Sequence, residues 1–130
     1  MYSRDVAEHF VNPRNVGTIE NADGFGKASG GVRCPEDMAY VWIRVDDDRI
    51  VEITHKTLGC PVAIAASSMT CVMAENKTLE EAEGITQVLV IEALGGVPEA
   101  KADSIVAVEA LRQAIADYRE RGGQRSGGEV

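Results

Sequence analysis

The sequence predicts a single domain built strands first and helices after. Three stretches predict it. Met38 to Val45 and Ile50 to Thr57 alternate apolar and polar residues with the period of two of half-buried strands, and Asp46-Asp47-Asp48 between them is turn chemistry. Gly59-Cys60-Pro61 then closes the second strand and opens a helix, since proline suits the first helical position, where its missing N–H has no intrahelical partner anyway. Finally, Ile105, Val108, Leu111, Ile115 and Tyr118 recur at helical spacing as the buried stripe of a long last helix.

Composition bounds the function. The 130 residues suffice for one domain with a modest core, and 45% hydrophobic residues let it fold without staples. A formal net charge of -8 argues against nucleic acid or an anionic membrane as the main partner and favours basic proteins. No stretch is long and apolar enough to span a bilayer. MYSRDVAEHF carries acidic residues and no apolar h-region, so it does not read as a signal peptide. Three cysteines without an export signal point to a reducing, cytoplasmic compartment, hence to free thiols or metal ligands in place of disulfides.

The remaining elements follow in order. Ser3 can cap a first helix on which Val6 and Phe10 share a face, ended by Asn12-Pro13. His9 on that helix reads as a surface or edge residue, because no partner stands at ligand spacing. Asn15 to Gly31 is glycine-rich and aperiodic; it reads as a loop wrapping the domain, and its glycines match no phosphate-binding fingerprint.

In the hairpin, Val41, Ile43 and Val45 face one way and Tyr40, Trp42 and Arg44 the other, while Val51, Ile53 and His55 alternate with Glu52, Thr54 and Lys56. His55 thus falls on the apolar side and reads as a satisfied core-edge histidine in preference to a metal ligand. The three aspartates of the turn lack the twelve-residue loop of a calcium site.

Val62 to Met73 is helical. Cys71 lies eleven residues beyond Cys60, on the same face but roughly 16 Å along the axis, too far to share one small metal centre, so it is assigned to the core. Thr78-Leu79-Glu80-Glu81 is a capping box, Gln87 to Leu94 a short helix stopped by Gly95-Gly96, and Asp103 or Ser104 is expected to cap the last helix. Residues 1–121 are read as one domain and Gly122 to Val130 as a disordered polar tail.

Two thiols stand out. Cys60, at a helix N-terminus, sits where free N–H groups and the helix dipole favour a thiolate, the form that binds soft metals and exchanges sulfur; the alternative is a buried cysteine acting as a small hydrophobe. Cys34 precedes the first strand of the hairpin, and a regular hairpin brings both cysteines together at its open end, as half of a metal site.

FVNPRNVG, CPEDM, KTLGCPVAIAASS and DSIVAVEALRQAIADY together resemble the IscU/NifU-type iron–sulfur cluster scaffold proteins over roughly residues 2–120. The resemblance implies an α+β fold, a three-stranded antiparallel sheet with helices packed on one side. It also implies a [2Fe–2S] cluster assembled on three cysteines, with zinc as the alternative occupant. The implied partners are a cysteine desulfurase that supplies sulfur and iron–sulfur acceptor proteins.

This chain departs from the family pattern at named positions. Cys34-Pro35-Glu36 replaces Cys-Gly-Asp, so that Glu36 takes the aspartate's place with Asp37 as an alternative, and Ala102-Asp103-Ser104 replaces His-Cys-Ser. Gly96 to Lys101 matches the family's proline-rich chaperone segment poorly. By family position the site is therefore Cys34, Cys60 and Asp103 with Glu36 or Asp37. Against ligation, Asp103 has the alternative of a helix cap and Glu36 that of a solvated carboxylate.

Three functions are carried forward. The first is a scaffold or carrier holding a cluster or thiophilic metal at Cys34 and Cys60. The second is a cluster-free adaptor docking on a desulfurase or acceptor. The third is a sulfur acceptor carrying a persulfide on Cys60 or Cys34. A cluster short of protein ligands could also be shared between subunits of a homo-oligomer.

Overall fold

The computed structural model describes residues 2–32 and 34–122. Of the tail expected to be disordered, Gly122 to Val130, residues 123–130 lie outside the described residues. The elements run α1 (Arg4–Val11), β1 (Gly24–Ser29), β2 (Met38–Asp46), β3 (Arg49–Leu58), α2 (Pro61–Ala74), α3 (Leu79–Glu83), α4 (Gln87–Ala93), a 3₁₀ helix Glu99–Ser104, and α5 (Ala107–Glu120). The strands form one antiparallel sheet in the order β1-β2-β3. Helices α5 and α2 cover one face of it, α5 over β1 and β2 and α2 over β3, with α1 against α2.

The alternation in the hairpin sets this layering. Ala39, Val41, Ile43 and Val45 are buried beneath the helices. Tyr40 and Trp42 point the other way and meet Phe25 of β1, with ring centroids 5.2 to 6.4 Å apart. Asp47 and Asp48 both adopt positive φ, 56° and 60°, the two-residue hairpin geometry whose twist matches the strands.

The family resemblance implied a third strand that the periodicity of Asn15 to Gly31 did not reveal. That strand, β1, lies inside the expected loop. A Cβ at Gly24 or Gly26 would run into the backbone carbonyl oxygens of Ala114 or Ala110 in α5, so the close approach of strand and helix requires residues of low strand propensity.

In β3 the expected inward Val51 is 41% exposed while Ile50 is buried. The pairing slips from Arg44↔Glu52 to Val45↔Ile50, a β-bulge that turns Val51 outward. On α1, Ser3 caps through Val6 N–H as expected, but Phe10 is 40% exposed, and His9, expected at the surface or an edge, is buried along with Val6. Last, α5 starts at Ala107, with Val106 in the cap position and no side-chain cap bond. Asp103 and Ser104 therefore cap nothing there; both lie in the 3₁₀ helix.

The Asn15–Gly17 stretch covers the free edge of β3. Gly17 N–H donates to His55 O at 3.0 Å, His55 N–H donates to Asn15 O at 2.8 Å, and Asn15 Nδ2 donates to Ile53 O at 2.8 Å. An unpaired strand edge is thereby closed. The same segment is anchored to α2, because Arg14 N–H donates to Ser68 Oγ at 2.8 Å, which also meets His9 Nδ1 at 2.7 Å.

His55 joins these pieces. It is 1% exposed, with Nε2 3.0 Å from Arg14 O and Nδ1 3.0 Å from Thr57 Oγ1. A carbonyl only accepts, so Nε2 carries the N–H. The expectation of a satisfied core-edge histidine matches this geometry.

Burial lowers the His55 pKa from its ordinary 6.5, with the Arg14 carbonyl acting in the opposite direction. The unfolded chain therefore binds the extra proton, and His55 contributes stability that is present above pH 6.5 and lost as the pH falls through the folded value. Urea unfolding between pH 7.5 and 5.5 should show wild type losing more stability than His55→Gln, by up to about 1.4 kcal/mol per pH unit. Parallel profiles would contradict the buried neutral imidazole.

Candidate thiol and carboxylate site

Three connections meet at the open end of the hairpin. β2 pairs Met38 with Leu58 of β3, so the chain entering β2 and the chain leaving β3 start from adjacent points. The β1–β2 loop is folded by Gly30 N–H donating to Asp37 O at 2.9 Å, Cys34 N–H to Gly31 O at 3.0 Å and Asp37 N–H to Cys34 O at 3.1 Å. On the other side Cys60 is the N-cap residue of α2, extended at ψ 171°, with Pro61 opening the helix. The 3₁₀ helix supplies the third wall, fixed from behind where Gln87 Nε2 donates to Ile105 O at 3.1 Å.

Cys34 and Cys60 converge on one hydroxyl. Ser104 Oγ donates to Cys34 Sγ at 3.2 Å and lies 3.3 Å from Cys60 Sγ. Both thiols are free and partly exposed, whereas Ser104 is fully buried. A hydroxyl can donate to one sulfur and accept from the other, so it bridges the pair while both are protonated.

Of the two neighbouring carboxylates, Asp37 turns inward: it is 6% exposed and its Oδ2 lies 4.0 Å from Cys60 Sγ, while Glu36 is exposed on the rim. Gly59 makes room for Asp37, since a Cβ there would stand 2.5 Å from Asp37 Oδ1, and its φ of +155° disfavours other residues. Together with Lys101 these groups line an open cleft of about 400 Å³.

Asp103 is the residue at the third family position. Its carboxylate lies over Gly31, where a Cβ would come within 2.9 Å of Oδ2. Among the described residues no three Cys, His, Asp or Glu side chains stand close enough together to hold a metal ion. Ser104 is the residue that sequence reasoning missed. Helical periodicity hid it, because the signal lies in the three-residue repeat of a 3₁₀ turn, which puts Lys101 and Ser104 on one face.

The NifU-like N terminal domain family matches residues 1–125 of this sequence. The chain belongs to that family. Its relatives include the iron-sulfur cluster assembly scaffold protein IscU 1 of Archaeoglobus fulgidus, 50% identical over 125 residues that cover 95% of this chain and 80% of that protein. The IscU scaffold protein of Escherichia coli is 38% identical over 122 residues, 92% and 95% of the two chains. The crystal structure of a nitrogen-fixing NifU-like protein (N-terminal) from Brucella abortus superposes with a TM-score of 0.70 at 17% identity, over 91% of this chain and 94% of that one, a likeness of fold. The antiparallel three-stranded sheet with helices on one side is thus the architecture of a NifU-like domain.

Within this NifU-like domain Cys71 has a different character from the other two thiols. It is fully buried in α2, and burial pushes its thiol pKa up, with Glu75 acting in the same direction. An aromatic disulfide reagent should therefore modify Cys34 and Cys60 in the native protein and Cys71 only on unfolding. Three equally fast thiols, counted by absorbance, would contradict this placement.

Proposed function

We propose that this chain is a scaffold on which an iron–sulfur cluster is assembled and from which it is passed on, with Cys34 and Cys60 as its thiolate ligands. The observation that carries the reading is the meeting of these two thiols at the open end of the hairpin, in a chain whose relatives are named as cluster assembly scaffolds. The donor set fits such cargo: thiolates are soft ligands that suit iron–sulfur clusters and zinc, and the inward Asp37 carboxylate adds a harder oxygen donor. The cleft is open to water, as a site that must load and unload requires.

The cargo in this reading is a [2Fe–2S] cluster, with zinc as the alternative occupant. A cysteine desulfurase supplies sulfur, and acceptor proteins take the product. The chain carries out no turnover of its own; Cys60 or Cys34 can receive sulfur as a persulfide during assembly. Glu36 is exposed on the rim and the Asp103 carboxylate lies over Gly31, so in this reading neither is assigned a bond to the cargo. The setting proposed is cytoplasmic. A site with few protein thiols also suits sharing of the cluster between two subunits.

A second reading has its own support. Because no three Cys, His, Asp or Glu side chains are gathered among the described residues, a cluster-free adaptor on the same fold is the rival. Anaerobic reconstitution with ferrous iron and sulfide separates the two. Wild type should develop sulfur-to-iron charge-transfer absorption. Folded Cys34→Ser and Cys60→Ser should each lose most of it, and Cys71→Ser should keep it. Cysteine variants that bind as much iron and sulfide as wild type would favour the adaptor.

A further inference from the structure

In a 3₁₀ helix residues three apart eclipse one another. Lys101 and Ser104 therefore share the face of the Glu99–Ser104 segment that is turned to the cleft, and Asp103 stands about a third of a turn away, its carboxylate over Gly31. The position that family alignment gives to the third donor and the position that faces the thiols are thus different residues.

Distance decides between them. With zinc–sulfur bonds of about 2.3 Å and zinc–oxygen bonds of about 2.0–2.2 Å, neighbouring sulfur and oxygen donors of a tetrahedral shell lie about 3.5 Å apart. Ser104 Oγ lies 3.2 Å from one sulfur and 3.3 Å from the other, so it already stands near a donor's place relative to both. Asp37 Oδ2, at 4.0 Å from Cys60 Sγ, lies a little outside that separation. Ser104 is fully buried and pinned from behind through Ile105, so its hydroxyl is held against the pair and not merely able to visit it.

We propose that Ser104, and not Asp103, is the third protein donor at the thiol pair, offering its hydroxyl oxygen to a thiophilic divalent cation held by Cys34 and Cys60, with Asp37 the nearest carboxylate. The proposal rests on the thiol-pair reading above and goes beyond it in naming the donor. On binding, the two thiol protons pass to water, and the hydroxyl binds through an oxygen lone pair while keeping its own proton.

Cobalt(II) chloride is the probe, added anaerobically to the reduced full chain, because sulfur-to-cobalt charge transfer counts thiolates and the d–d bands report the remaining donors. Ser104→Ala should weaken cobalt binding by about tenfold or more and alter the d–d bands, with charge transfer per bound cobalt unchanged. Ser104→Cys should raise that charge transfer by about half, from two thiolates to three. Asp103→Ala should leave affinity and spectrum close to wild type. Far-UV circular dichroism checks each fold, and Ser104→Cys keeps the test decisive should Ser104→Ala not fold.

Wild-type cobalt affinity and d–d bands in Ser104→Ala together with unchanged charge transfer in Ser104→Cys, or charge transfer abolished by Asp103→Ala, would overturn the proposal and leave the thiol pair standing. Absence of thiolate charge transfer in wild type would overturn the thiol-pair reading itself, and this proposal with it.

Discussion

The antiparallel register that sets Met38 opposite Leu58 is the constraint on which the site depends. It fixes where the chain enters β2 and where it leaves β3, and so carries Cys34 and Cys60 to the same end of the sheet. The bulge near Val45 lies toward the opposite, turn end, so the pairing from Arg44 to Met38 runs without a slip into the site. A one-residue shift along this stretch would exchange the faces of Val41, Ile43 and His55 and expose the core, so burial of that face also holds the cysteines in place.

The helical layer turns this register into a site. Glycines 24 and 26 let α5 lie directly on β1 and β2. The Glu99–Ser104 turn, which leads into α5, is consequently held against the end of the sheet and closes the cleft from a third side. Helix α2 begins at Cys60 itself, so the thiol leaves the sheet at a rigid junction. Asn15–Gly17 and His55 then bind the outer edge of β3 to α1 and α2. Sheet edge, helix layer and thiol pair are therefore parts of one hydrogen-bonded unit.

What the sequence made legible follows from which physical signals are local. Alternation in β2, the Pro61 helix start, the Thr78–Glu81 capping box and the stripe of α5 from Val108 to Tyr118 are each written within a few residues, and each stands where it was expected, while Ile105 falls just ahead of the helix. β1 was not legible from periodicity, because its glycines answer to a helix some ninety residues away. Val51 faces outward because it is the extra residue of a bulge in β3, which strict alternation along the strand does not register. The thiol pair was legible from hairpin logic alone, and the family resemblance supplied the remaining positions. Ser104 was not, since the phase of a short 3₁₀ segment decides which of its side chains faces the cleft, and a lone serine carries neither the thiol nor the carboxylate chemistry that marks a ligand in sequence.

The central claim, two thiolates completed by oxygen, is tested most directly by X-ray absorption at the zinc edge, on reduced protein carrying one equivalent of zinc. The account predicts two sulfur neighbours at about 2.3 Å, with the rest of the shell oxygen at about 2.0–2.2 Å. A shell of three or four sulfurs, or of none, would contradict it.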